Sequence, residues 1–451
     1  MKLKKLLTVV MAAIMVMSLS ACGGNSKPNE GSAGNSGEVS EATGEETTPA
    51  ADGTAEVSGD TLIVAIWDTN QEPGIRKIID DFTAQTGIKA EIQVTPWDQY
   101  WTMLEAGATG GTLPDVFWMH SNEISKYSEY EMLLDLTDRI AKSEKVDMSK
   151  FPEDIVNIYK WQGEKQYAVP KDIDTIALWY NKTMFDEAGL SYPDDSWTWE
   201  DFKEACKKLT KPDGSQYGYA IKPSNTQDGW YNMVYDMGGT IITDDKKASG
   251  FDQEGTIKAI NFASGLVKEG LTPNYETMTE NNPEALFEAG KVAMITQGSW
   301  MLAELCNNDY VKENCDIAVL PKDGATGRRA SIYNGLGWAA AANTDKLDEA
   351  WALIEYMGSQ EAQQKQSDLG IVISAYEGTV ANWTKAYPDF NLQAYLDMMN
   401  DLVIRPYSKT TVTWENMIGE KLVDAWTGAK SVEDVCADIT TEMNATLAEE
   451  Q

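Results

Sequence analysis

Fifteen tryptophans stand against nine phenylalanines in this 451-residue chain, and many of them lie beside Asp, Asn or Gly where strands are expected to end. An indole face is flat, apolar and polarisable, so it fits the C–H face of a pyranose ring, while neighbouring carboxylates and amides exchange hydrogen bonds with hydroxyls. Trp67, Trp118, Trp230 and Trp300 abut polar or Gly-containing turns and are the candidate platforms. Trp101, Trp351 and Trp426 fall on apolar helix faces and are expected in the core. Asp172 and Asp174 open a strand that can span two lobes. Asp172 is the ligand candidate, and Asp174 reads as a solvated turn residue.

Other chemistries lack material. A single histidine, His120, leaves no relay and no multi-histidine metal site. No G-x-x-x-x-G-K-[ST] loop is present. Beyond Cys22 the cysteines are Cys206, Cys306, Cys315 and Cys436, without a C-x-x-C or Cys/His cluster, so neither metal nor cofactor is expected. Cys306 and Cys315 are close enough in sequence for a disulfide, but spacing leaves the geometry open and free thiols are the expectation. The net charge of −34, with no block of Lys and Arg, excludes nucleic acid as partner. Paired carboxylates are plentiful, and a glycoside hydrolase needs only two.

The elements that must position these residues alternate. An apolar run over 61–67 is broken by Asp68-Thr69-Asn70-Gln71. Ile75, Ile78, Ile79 and Phe82 then recur at helical spacing before Gly87. A strand over 90–94 follows; Thr95 suits a cap, Pro96 the first helical position and Asp98 a reciprocal capping carboxylate. Residues 116–119 form the next strand. The class is α/β with a parallel sheet, and ligands of such sheets sit at the carboxyl ends of the strands. Trp67, Asp68 and Asn70, then Trp118, His120 and Asn122, and the helix start at Trp97 become site candidates. Further on, 172–181 reads as one strand and 198–209, 255–268 and 283–288 as helices. Strands are expected over 316–320 and 335–342, and a helix over 347–357. No internal repeat is apparent. Residues 61–451 exceed a comfortable single core and predict two lobes.

The amino-terminal residues carry Lys2, Lys4 and Lys5, then an uncharged run over 6–19 that is too short for a permanent span. Leu19-Ser20-Ala21-Cys22-Gly23 resembles the lipobox of bacterial lipoproteins, which implies residues 1–22 as a signal peptide and diacylation of Cys22. Two acyl chains suffice for stable anchoring. Residues 23–60, rich in Gly, Ser, Thr and Glu, read as a disordered acidic tether. The expected location is the outer face of the cell membrane.

Several strings, in order along the chain, resemble the bacterial extracellular solute-binding proteins of family 1, carbohydrate receptors of ATP-binding-cassette (ABC) importers and distant relatives of maltose-binding protein. They are Leu113-Pro114-Asp115-Val116 with Trp118, Leu178-Trp179-Tyr180-Asn181-Lys182, and Trp197-Thr198-Trp199-Glu200-Asp201-Phe202. Later come Phe287-Glu288-Ala289-Gly290-Lys291-Val292-Ala293-Met294 with Gly298-Ser299-Trp300, and Asn334-Gly335-Leu336-Gly337-Trp338 ahead of Glu349-Ala350-Trp351. The resemblance implies a two-lobed periplasmic-binding-protein-like fold of type II, crossed about three times by the chain and closing by a hinge. It implies one lobe from 61–172 and 321–373 and the other from 173–320 and 374–451. Trp67, Asp68, Asn70, Trp97, Trp118, His120, Asn122, Asn334 and Gly335 would face the cleft from the first lobe, and Trp230 and Trp300 from the second. Arg405 and Trp414 are weaker candidates, and the Trp179 and Phe202 strings are structural. The implied function is capture of a small carbohydrate by a monomer that hands it to permease subunits. Where relatives place charge after the Pro-Asp strand, this chain has Met119-His120-Ser121-Asn122, so hydroxyl contacts do not transfer. A hydrolase, or the same receptor fold with a non-sugar solute, stays open.

Overall fold

The computed structural model describes residues 61–223 and 227–450. The leader, Cys22 and the tether lie outside these residues. The described chain falls within one unit, 57–451, built on two sheets.

The first sheet runs in the order Lys89–Val94, Thr61–Ile66, Val116–Met119, Gly337–Ala340, Val169–Pro170. The first three strands are parallel, and Gly337–Ala340 is antiparallel to both neighbours. Between the opening strands, helix Glu72–Thr86 buries Ile75, Ile78, Ile79 and Phe82 and stops at Gly87, whose φ of 78° lets its N–H close on the Thr83 carbonyl. The next helix, Trp97–Gly110, starts one residue later than its sequence suggests. Pro96 itself is the N-cap and no side chain caps it, so Thr95 has no capping role.

The second sheet places Ile176–Asn181 between Cys315–Ala318 and Met294–Gly298, antiparallel to both. All six residues of the middle strand are buried, as a near-continuous apolar run demands of a strand covered on both faces. Its alternate side chains serve different cores: Ala177 and Trp179 join the cluster continuous with the first sheet, whereas Ile176, Leu178 and Tyr180 join a second cluster. That second core is closed by Trp199–Leu209 and by the final helices Thr411–Trp426 and Val432–Ala448. Thr198 and Asp201 cap the first of these reciprocally, with Thr198 Oγ accepting from the Asp201 amide at 3.2 Å and Asp201 Oδ2 from the Thr198 amide at 3.0 Å.

The chain passes between the sheets three times. Residues 171–175 link Val169–Pro170 to Ile176–Asn181, and residues 319–336 return from Cys315–Ala318 to Gly337–Ala340. The third passage follows helix Gln360–Asp368, which packs on Glu72–Thr86, and leads to Gln393–Asp397 beside the second sheet. The passages lie against one another, because Asp172–Ile173 pairs with Ile373–Ser374 and Asp174 bridges Asn334. The expected single strand over 172–181 is therefore two, Asp172–Ile173 and Ile176–Asn181. Likewise 335–342 shortens to Gly337–Ala340 and 316–320 shifts to Cys315–Ala318. At Gly335 a Cβ would stand 2.2 Å from the Asp172 carbonyl oxygen, so the close approach of two passages requires glycine there.

Cys206, Cys306, Cys315 and Cys436 are buried and free. Among the described residues, no helix is long and apolar enough to cross a membrane.

Candidate functional site

An aromatic wall forms where the first sheet ends. Trp67, one residue past its strand, meets Trp97 edge-on at 5.1 Å between ring centroids, Tyr100 at 5.1 Å and Trp118 at 5.0 Å. Trp97 continues the wall to His120 at 5.3 Å and keeps 39% of its surface exposed, so it is the ring with a free face. Trp101 packs beside both tryptophans. Trp118 is a correction to the sequence reading. It is fully buried behind Trp67, with Trp338 at 6.0 Å and the Lys171 ammonium 4.4 Å from its ring centroid. The strand end that looked open is covered by Gly337–Ala340, so Trp118 supports the wall from behind.

Beside the wall, polar side chains from both lobes converge. Asn334 on the second passage donates from Nδ2 to His120 Nε2 at 3.1 Å. That role makes Nε2 the acceptor and leaves the proton on Nδ1, which faces the Asn122 side-chain oxygen. Burial, then the Arg405 charge, lowers the imidazole pKa to about 3, so His120 is neutral at ordinary pH. Asn122 reaches Glu415 Oε2 at 3.5 Å, and Glu415 is held by Arg405 Nη2 at 2.6 Å. Glu415 lies on Thr411–Trp426, so this chain of contacts joins the lobes.

The two strand-opening aspartates exchange roles. Asp172 is buried and committed to the hinge, with Lys171 Nζ 2.6 Å away and the Leu336 amide donating at 2.7 Å; Lys171 also donates to Gln71 at 3.0 Å. Asp172 is therefore no free ligand group. Asp174, expected in solvent, is buried in the polar centre, where it accepts from the Asn334 amide at 3.1 Å and from the Gln227 side chain. Burial and the neighbouring Asp172 charge raise its carboxyl well above the usual range. Gly335 offers only backbone, its carbonyl accepting from Tyr159 at 2.6 Å.

On the second-lobe side, Trp230 is also a correction. It is buried, edge-on to Tyr231 at 4.6 Å and Phe251 at 6.1 Å, because it opens a helix that belongs to the second core. Trp300 keeps a partly exposed position, its ring lying over Gly298, where a Cβ would come within 2.0 Å. At the rim, Asn70 Nδ2 donates to Glu304 Oε2 across the lobes at 3.0 Å. Asp68 is held in place by the Asn70 and Gln71 amides at 2.8 and 3.1 Å and by the Gln71 side chain at 2.7 Å.

The structure thus gathers Trp67, Trp97, His120, Asn122 and Asn334 around one locus, with Asp68 and Asn70 at its edge, whereas Trp300 packs against the second core. Gln71, Lys171, Gln227, Asp228, Glu304 and Glu415 were missed. Lys171 and Asp172 directly after a strand-ending Pro170 are a charged pair in an apolar context, which was the available signal; Gln227 and Asp228 gave only a polar loop. The convergent groups are amides, carboxylates and one neutral imidazole, suited to exchanging hydrogen bonds with a polyhydroxylated solute. Among the described residues, no cluster of His, Cys, Asp or Glu could hold a metal ion.

The family profile described as bacterial extracellular solute-binding protein matches residues 68–364. The chain is 26% identical over 330 residues to the galactooligosaccharide-binding protein of Bacillus subtilis, covering 71% of this chain and 68% of that one. It is 21% identical over 429 residues to the maltooligosaccharide ABC transporter solute-binding lipoprotein of Streptococcus pneumoniae, covering 88% and 91%. Among solved structures, the ABC substrate-binding protein Lmo0181 from Listeria monocytogenes in complex with cycloalternan superposes with a TM-score of 0.78 at 23% identity, over 86% of this chain and 98% of that one. At that identity the likeness establishes a shared two-lobed α/β fold.

Proposed function

Since the chain belongs to the bacterial extracellular solute-binding proteins, we propose that it captures a sugar or oligosaccharide between its lobes and delivers it to the permease of an ABC importer. The observation that carries this reading is the wall of Trp67 and the half-exposed Trp97 set against His120, Asn122 and Asn334, an apolar face beside convergent hydrogen-bonding groups. Relatives named for oligosaccharide binding support the ligand class. The lobes divide near 172–173, 320–321 and 373–374, and the three passages between them act as the hinge. Ligand contacts from both lobes give the closed state its differential affinity, and the rim contact of Asn70 with Glu304 forms on closure.

The protein acts as a monomer, without catalysis, on the outer face of the membrane, tethered through a diacylated Cys22. Titration of intrinsic tryptophan fluorescence with a panel of mono- and oligosaccharides tests the reading. A saturable response at micromolar sugar, with no release of reducing ends, is expected. Silence across the panel refutes sugar capture, and reducing-end release would make the protein a hydrolase.

A further inference from the structure

We propose that the captured carbohydrate carries a basic amine and that Asp228 is its counter-ion; this rests on the carbohydrate reading above. Asp228 is only 4% exposed, and its main chain is pinned by Thr296 Oγ, which donates to its carbonyl at 2.5 Å. Yet its Oδ1 has no hydrogen-bond partner among the described residues, and the same holds for the buried Asn334 Oδ1. Orphaned groups of this kind are costly, a carboxylate oxygen most of all, so they mark where a solute completes the hydrogen bonding. Two open acceptors call for a ligand that donates.

Charge separates an ammonium from a hydroxyl. After burial, Asp228 is most affected by the attractive charge of Lys222, then by the repulsive charge of Glu284 and, less, by the attraction of Arg405, whose guanidinium is already held by Glu415 at 2.6 Å. Lys171 is likewise held by Asp172, and His120 is neutral. Around the rim stand Asp68, Glu284, Glu288 and Glu304; burial and their mutual repulsion raise the carboxyls of Glu288 and Glu304. Burial lifts Asp228 to about 7, so a bound cation would hold it ionised. Even with Lys222 set against Asp228, the carboxylates of Asp68, Glu284, Glu288 and Glu304 remain in surplus, and such a cleft favours a positively charged solute over a neutral one of the same shape. The exposed indole of Trp97 offers a cation a further favourable face.

Isothermal titration calorimetry on the full chain, with glucosamine oligosaccharides, the same oligomers N-acetylated, glucose oligosaccharides, and spermidine, tests this. The free-amine series should bind about tenfold more tightly than the N-acetylated one, with the advantage shrinking at high salt. Asp228→Asn should abolish the advantage, and Glu304→Gln, a rim change away from the core, should reduce it; melting curves of both variants verify the fold. Equal or tighter binding of the N-acetylated or glucose series overturns the proposal and leaves the carbohydrate reading intact. Binding of spermidine with no response to any sugar overturns both.

Discussion

Trp118 and Trp300 pose the same question at the residue scale, whether an indole is wall or platform, and their surroundings answer it differently. Trp118 is enclosed by Trp67, Trp338 and Lys171, so Trp118→Ala should cost about 3–5 kcal/mol of stability through the cavity it leaves. Trp300 lies over a glycine with part of its ring exposed. Trp300→Ala should weaken sugar binding by roughly 1–3 kcal/mol with a small change in melting temperature. Calorimetry and urea denaturation on both variants separate the outcomes; unchanged affinity in the Trp300 variant would return that ring to the core. The places of Trp67 after a strand and Trp97 at a helix start were legible because both are local signals. The burial of Trp118 was not, since the strand that covers it arrives from the second passage, far along the chain. Asp174 was misread for the same reason: its acceptor role depends on Asn334 and Gln227, neither near it in sequence.

At the scale of elements, periodicity was a good guide wherever one element met one core. Helix Leu347–Met357 and strand Val116–Met119 stand where their apolar spacing puts them. The failures cluster at the passages, where local preference yields to pairing between distant segments. There the buried pair Lys171 and Asp172 ties the first passage to Leu336 on the second, while Gln363 and Gln366 hold the Lys171 carbonyl at 2.9 and 2.8 Å. Removing one member of such a pair leaves an uncompensated buried charge. Asp172→Asn should therefore lower stability by about 3–5 kcal/mol in urea denaturation. Lys171→Met combined with it should recover part of the loss, and additive losses would show that the pair is uncoupled.

For the whole molecule, the closure proposed above is what can be tested. Saturating sugar should reduce the radius of gyration measured by small-angle X-ray scattering. Glu304→Ala, which deletes the rim contact with Asn70, should weaken affinity by roughly 0.5–1.5 kcal/mol without shifting the melting temperature; an unchanged affinity would mean the rim contributes nothing to the closed state. The division of the folded part into two lobes was legible from its length, whereas the path between them came from a resemblance rather than from spacing. That path has a consequence for when the protein can fold. The first sheet lacks its fourth strand until Gly337–Ala340 is made, and the second core waits for Val432–Ala448, so the first lobe waits for a strand late in the chain and the second cannot be finished until synthesis is nearly complete. A chain whose pairings are this distant folds slowly, and slow folding keeps a polypeptide threadable through a translocation channel until it has left the cytoplasm.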